Sequence, residues 1–252
     1  MGKLVTYSEL KATFPEEKKA VESLYGIIVP VRKISYIFTI PMLALGVSAF
    51  QASIISIFIA VASCVFLSIP SAVCRVIGVI LVPMWHIFDC VDGNIARYNK
   101  TASDFGGVVD AISGYFMMAL LPIGLGMASF NVGFGYLPLP KEAYLLMGGV
   151  GAVTDVMARL IHQKYAFTAM KLEKDTGKYV EKGDNQYHLT GFNRFRKMLG
   201  VELGIVGIPM FVLWVAPIFN LYHILTLYYC LFHVGSVVMI AAYYLKKCNQ
   251  SG

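Results

Sequence analysis

Asp89-Cys90-Val91-Asp92-Gly93-Asn94-Ile95-Ala96-Arg97, followed by Gly106 and Asp110, is the stretch around which this chain is organised. An apolar run from Val76 to Phe88 precedes it, and another from Val108 to Met127 follows. Asp89 and Asp92 therefore fall near the end of one membrane helix, one turn apart on a shared face. Asp110 falls near the start of the next. Charge at such positions is costly and, where retained, usually functional. Three carboxylates converging there form an oxygen-rich site suited to a hard divalent cation.

Working outward, the composition sets the fold class. Of 252 residues, 57% are hydrophobic and only 14% charged, with a mean hydropathy of +0.65. A soluble domain carries about 25% charged residues. The reading is an all-α integral membrane protein, with about six transmembrane helices at ~20 residues each plus N-terminal interfacial helices. Residues 1–49 are expected to form the cytoplasmic and interfacial helices, 50–245 the membrane domain and 246–252 a cytoplasmic tail. Spans are predicted over about 50–69, 73–98, 105–128, 143–168, 198–219 and 221–245. The net charge of +6 fits cytoplasmic loops and lipid headgroups and not nucleic acid. Cys64, Cys74, Cys90, Cys230 and Cys248 form no CxxC pair, which argues against zinc or disulfide frameworks. The N-terminus is charged early and has no apolar core of signal-peptide form.

Thr13-Phe14-Pro15-Glu16 has the form of a capping box and predicts a short helix over about 14–24, on the membrane surface or simply solvated. Residues 31–48, interrupted by Pro41, read as an interfacial helix leading into the first span. Loops are expected at 98–104, 129–142 and 169–197, and Pro217 with Asn220 marks a tight turn. One side of the membrane receives most of the Lys and Arg, including Arg32, Lys33, Arg97, Lys100, Lys171, Lys174, Arg194, Arg196, Lys197, Lys246 and Lys247. The other receives Arg75 and Lys141. Both termini and the Asp stretch are thus expected to face the cytoplasm.

The spacing of the acidic stretch resembles the signature of the CDP-alcohol phosphotransferase family: Asp, two residues, Asp-Gly, two residues, Ala-Arg, eight residues, Gly, three residues, Asp, three residues, Asp. Asp89, Asp92, Gly93, Ala96, Arg97, Gly106 and Asp110 match it, and Gly114 stands where the family has its fourth Asp. With the helix layout on both sides, the resemblance extends over roughly residues 30 to 245. It implies transfer of a phosphoryl-linked group from a CDP-linked donor to an alcohol or lipid acceptor, with release of CMP. It also implies Mg2+ or Mn2+ on Asp89, Asp92 and Asp110, a nucleotide site at Gly93, Ala96, Arg97 and Gly106, membrane lipids as partners, and a homodimer. Small residues permit close approach of a ligand, and Arg97 offers a planar fork to phosphate.

Gly114 leaves three consequences open. Another group deprotonates the acceptor, the site works with one tightly held metal, or activity is lost. His86, one turn before Asp89, is a candidate base or a partner that orients a metal-binding carboxylate; the plainer reading is a histidine hydrogen-bonded inside the bundle. Asp104 and Ser113 are the other candidates, with an N-cap role preferred for Asp104. Asp155 and Arg159, at i and i+4 with Lys164 beyond, read either as a basic lobe for an acceptor phosphate or as a neutralised pair. Lys164 also has the length to snorkel to the interface. Asn193, Arg194, Arg196 and Lys197 are better explained by the positive-inside bias than by lipid binding, and Glu202 by pairing with a nearby base. His223 and His233, ten residues apart, read as structural. Two rival functions remain: a homologue that binds its ligand without turnover, and a cation transporter. A transporter would place its acids near the midplane in broken helices, whereas these lie at a helix end beside Arg97 and Lys100.

Overall fold

The computed structural model describes residues 5–16, 19, 31–133, 136–177, 203–205 and 207–251. Among them are eight helices and no strand: α1 (Tyr7–Ala12), α2 (Val31–Ala44), α3 (Ala49–Ser68), α4 (Ala72–Tyr98), α5 (Asp104–Val132), α6 (Lys141–Thr176), α7 (Ile208–Phe219) and α8 (Tyr222–Ser251). Five of them, α3, α4, α5, α6 and α8, are long and apolar enough to cross a membrane, and the protein is an all-α multi-pass membrane protein. α2 covers most of the predicted interfacial segment and carries Pro41 within it.

Three expectations need correction. The predicted span 198–219 contains a described helix of only 12 residues, well short of the ~20 that span a bilayer. Gly204, Gly207 and Pro209 punctuate that apolar run: the Gly207 amide turns back to Gly204 O, and the helix starts only at Ile208 with Pro209 in its first turn. Residues 198–202 lie outside the described residues. The capping box forms at Thr6 and Glu9, not at Thr13 and Glu16, and Thr13 ends α1, donating its hydroxyl to Leu10 O. Most of the predicted 14–24 helix lies outside the described residues. Finally, α6 runs to Thr176, eight residues past the predicted end at 168, before Gly177 (φ 67°) stops it.

Each long helix packs on its neighbours in a closed order. α4 lies against α3, α3 against α5, α5 against α6 and α6 against α8, while α7 touches both α8 and α4. α2 lies along the outside of α4. Lipid offers no hydrophobic drive for helices to associate, so small residues and polar pairs carry the contacts. At the α5–α6 crossing the backbones meet: a Cβ on Gly126 would stand 2.6 Å from Tyr144 O, and one on Gly148 2.6 Å from Pro122 O. Ser63 donates to Gly78 O across α3–α4 at 2.9 Å, and Ser129 and Thr226 bond across α5–α8 at 2.9 Å. Val79, Val82, Met117, Leu121, Leu125, Leu213 and Tyr229 fill the main core.

Candidate active site

The last three turns of α4 carry the acidic stretch, and the loop that follows positions Asp110. Lys100 adopts a left-handed conformation (φ 55°), and the Thr101 amide returns to Ala96 O at 2.9 Å. The chain thereby reverses within 99–103. Ser103 caps α5, its hydroxyl accepting from the Gly106 amide at 3.1 Å. The cap predicted at Asp104 is therefore one residue out: Asp104 is the first helical residue and is exposed. Asp92 and Asp110 lie equally far from this loop, about 9 Å along antiparallel helices at ~1.5 Å per residue.

This folding brings the three carboxylates into one another's electrostatic field. Asp110 acts on both Asp89 and Asp92, and Asp92 acts on Asp89. Asp92 is buried, accepting from the Ser53 hydroxyl on α3 and from its neighbour's amide at Gly93. Asp89 is half-buried and Asp110 exposed. No three His, Cys, Asp or Glu side chains among the described residues close to ligating distance. Three carboxylates within one another's field, one of them already held by a hydroxyl, would offer hard oxygen donors of the kind Mg2+ or Mn2+ takes.

Arg97 is held over Gly93. A Cβ on Gly93 would stand 3.0 Å from Nη1 and 3.3 Å from Nη2 of Arg97. The guanidinium donates from Nη2 to Asn94 Oδ1 at 2.8 Å, and Asn94 Nδ2 donates to Ser35 (2.9 Å) and Thr39 (3.1 Å) of α2. Arg97 Nε is buried without a hydrogen-bond partner. Ala96 is half-buried beside it and Gly106 is exposed in the first turn of α5.

Residues 47–246 match CDP-alcohol phosphatidyltransferase. The chain belongs to the CDP-alcohol phosphatidyltransferase family. No curated protein matches the sequence. The family is one of phosphate-group transferases in phospholipid synthesis, and this member is a multi-pass membrane protein.

The remaining candidates separate by environment. Ser113 is fully buried, hydrogen-bonded to Ser56 (2.6 Å) and receiving the Trp85 indole N–H (3.0 Å). It ties α5 to α3 and α4. The Trp85–Ser113 bond joins α4 and α5 one residue before His86 and Gly114 respectively. His86 Nδ1 is buried with no hydrogen-bond partner. A Cβ on Gly114 would meet nothing within 4 Å, so a side chain at this position would enter free space one turn from Asp110.

Arg159 donates to Asp155 at 2.8 Å, and His233 Nδ1 lies 3.3 Å from the same carboxylate. The predicted basic lobe is thus neutralised within the bundle at Arg159, while Lys164 is exposed. His233 is the partner that sequence reasoning set aside. His223 is fully buried, edge-on to Tyr144. Asn193, Arg194, Arg196, Lys197 and Glu202 lie outside the described residues. Sequence reasoning also missed Ser53, 39 residues before its acidic partner, and Asn94, whose i, i+3 spacing to Arg97 was the available signal.

Proposed function

We propose that this family member transfers a phospho-alcohol or phosphatidyl group from a CDP-linked donor to an alcohol acceptor and releases CMP. The observation that carries the reading is the meeting of Asp89, Asp92 and Asp110 in one field beside the guanidinium of Arg97. Asp89, Asp92 and Asp110 would hold a divalent cation, Mg2+ or Mn2+, which when bound would supply charge neutralisation for the pyrophosphate. Gly93, Ala96 and Gly106 leave room for cytidine, and Arg97, oriented by Asn94, pairs with phosphate oxygens. The acceptor oxygen bonds to the β-phosphorus as the bridging P–O bond breaks, and the electron pair leaves with CMP. The acceptor's proton passes to Nδ1 of His86, a buried ring nitrogen without a hydrogen-bond partner one turn before Asp89. Orientation and fixed charge supply most of the acceleration.

The site faces the cytoplasm in this reading. Arg97 and Lys100 at the end of α4, Lys171 and Lys174 at the end of α6, and Lys246 and Lys247 at the end of α8 share the end of the bundle that bears Asp89. Arg75 and Lys141 begin α4 and α6 at the other. Such asymmetry marks a cytoplasmic face. Membrane lipid is substrate or solvent at that level, and the working unit is a homodimer.

The test is CMP release from a panel of CDP-linked donors by purified protein with Mg2+ or Mn2+ and candidate alcohols. Release that depends on both cation and alcohol supports transfer. A second reading rests on Gly114, where the family carboxylate is missing and nothing fills the space: the protein binds donor without turnover. CDP binding with no CMP release across the panel favours it.

A further inference from the structure

α4 and α5 carry the acidic residues, yet they touch each other far less than each touches α3. The spacing of Asp92 and Asp110 therefore depends on α3. That helix holds both neighbours with polar side chains. Ser53 and Ser56, one turn apart, are both buried. Ser53 donates its hydroxyl to Oδ2 of Asp92 on α4. Ser56 donates to the Ser53 carbonyl at 2.7 Å and meets the Ser113 hydroxyl of α5 at 2.6 Å. Ser113 stands one turn after Asp110. Each of these helices is thus tied to α3 at its acid or one turn away from it.

Ser53 does not need Asp92 for its own satisfaction. A serine inside a helix can bond back to the carbonyl four residues earlier, and Ala49 O lies 3.2 Å from the Ser53 hydroxyl. One hydroxyl hydrogen has two acceptors in reach, and the charged one is the stronger. The group that gains is Asp92, the most buried of the three acids. The last torsion of an aspartate side chain is broad and roughly twofold, so an unheld carboxylate turns easily. The Ser53 hydroxyl and the Gly93 amide hold this one. An ionised carboxylate has about four acceptor sites, so two donors leave lone pairs for a cation.

We infer that Ser53 is a positioning residue for the divalent-cation site: its hydroxyl fixes the orientation in which Asp92 offers its remaining lone pairs, and α3 is thereby the third helix of that site. The inference rests on the metal reading proposed above and adds to it a residue that supplies no ligand. A partner of this kind acts on metal affinity through the carboxylate it holds. Ser63 provides the control. It too is buried and donates from α3 to α4, reaching Gly78 O at 2.9 Å, but it lies about 15 Å along the helix from Ser53 at ~1.5 Å per residue.

The experiment measures Mn2+ affinity and Tm of detergent-purified full-length wild type, Ser53→Ala, Ser53→Thr and Ser63→Ala, with free Mn2+ read from its paramagnetic resonance signal. The expected result is that Ser53→Ala weakens Mn2+ binding by about tenfold or more, while Ser53→Thr, which keeps the hydroxyl, stays close to wild type. Ser63→Ala lowers Tm and leaves Mn2+ affinity unchanged. A Ser53→Ala protein that binds Mn2+ as wild type does overturns the positioning role, as does a threonine variant as weak as the alanine one. Equal weakening by Ser63→Ala also overturns it, since the loss is then one of helix packing. A wild type that binds no Mn2+ overturns the metal reading, and the role of Ser53 falls with it.

Discussion

Replacing Gly93 by alanine separates stability from function in opposite directions. The new methyl would stand 3.0 Å from Nη1, 3.3 Å from Nη2 and 3.5 Å from Cζ of Arg97, these being its nearest contacts. The backbone of α4 is untouched, and the crowded atoms are the far end of a flexible side chain. Alanine in place of a helical glycine is worth about 0.5–1 kcal/mol, so the fold should hold or gain. The guanidinium must move by a few tenths of an ångström, which strains its 2.8 Å bond to Asn94 and turns its fork away from the pose in which it would meet phosphate. A hydrogen bond to a charged group contributes about 1.5–3 kcal/mol, or roughly ten- to a hundredfold in rate. The expected result is an unchanged or raised Tm in detergent, with transfer measured as CMP release down at least about tenfold. Full activity in the alanine variant would refute the claim that Arg97 must rest on Gly93. A Tm that drops sharply would refute the claim that the contact is confined to the side chain.

His86→Ala should abolish turnover while CDP binding persists. Adding Gly114→Asp, into space where a Cβ meets nothing within 4 Å, should restore part of it in the same CMP-release assay; a double mutant as inactive as His86→Ala would argue against a shared role. Gly126→Val should destabilise the protein by about 1–3 kcal/mol or more, because its Cβ would land 2.6 Å from Tyr144 O. Thermal unfolding followed by tryptophan fluorescence checks this.

Much of this architecture was legible because it is local. Apolar runs mark α3, α4, α5, α6 and α8 directly, and the spacing from Asp89 to Asp110 survives in any helix–loop–helix that reverses within 99–103. What was not legible depends on contacts between distant segments. Ser53 meets Asp92 and Phe14 meets Arg97 only because α3, α4 and the N-terminal arm pack together. Local signals also compete. Thr6–Glu9 and Thr13–Glu16 share the same capping pattern, yet one threonine starts α1 and the other ends it. Hydropathy counted 198–219 as a span, but the described helix begins only at Ile208, after Gly204 and Gly207. Arg159 was read as a phosphate ligand or half of a neutral pair, and His233, contributed by α8, adds to the pair.

The most direct measurement is Mn2+ binding followed by electron paramagnetic resonance, titrated into wild type, Asp89→Asn, Asp92→Asn and Asp110→Asn with and without CDP. The account predicts one saturable class of bound ion in wild type, tightened by CDP and lost or strongly weakened in each of the three variants. Binding in Asp110→Asn as tight as in wild type would contradict a site built jointly by α4 and α5.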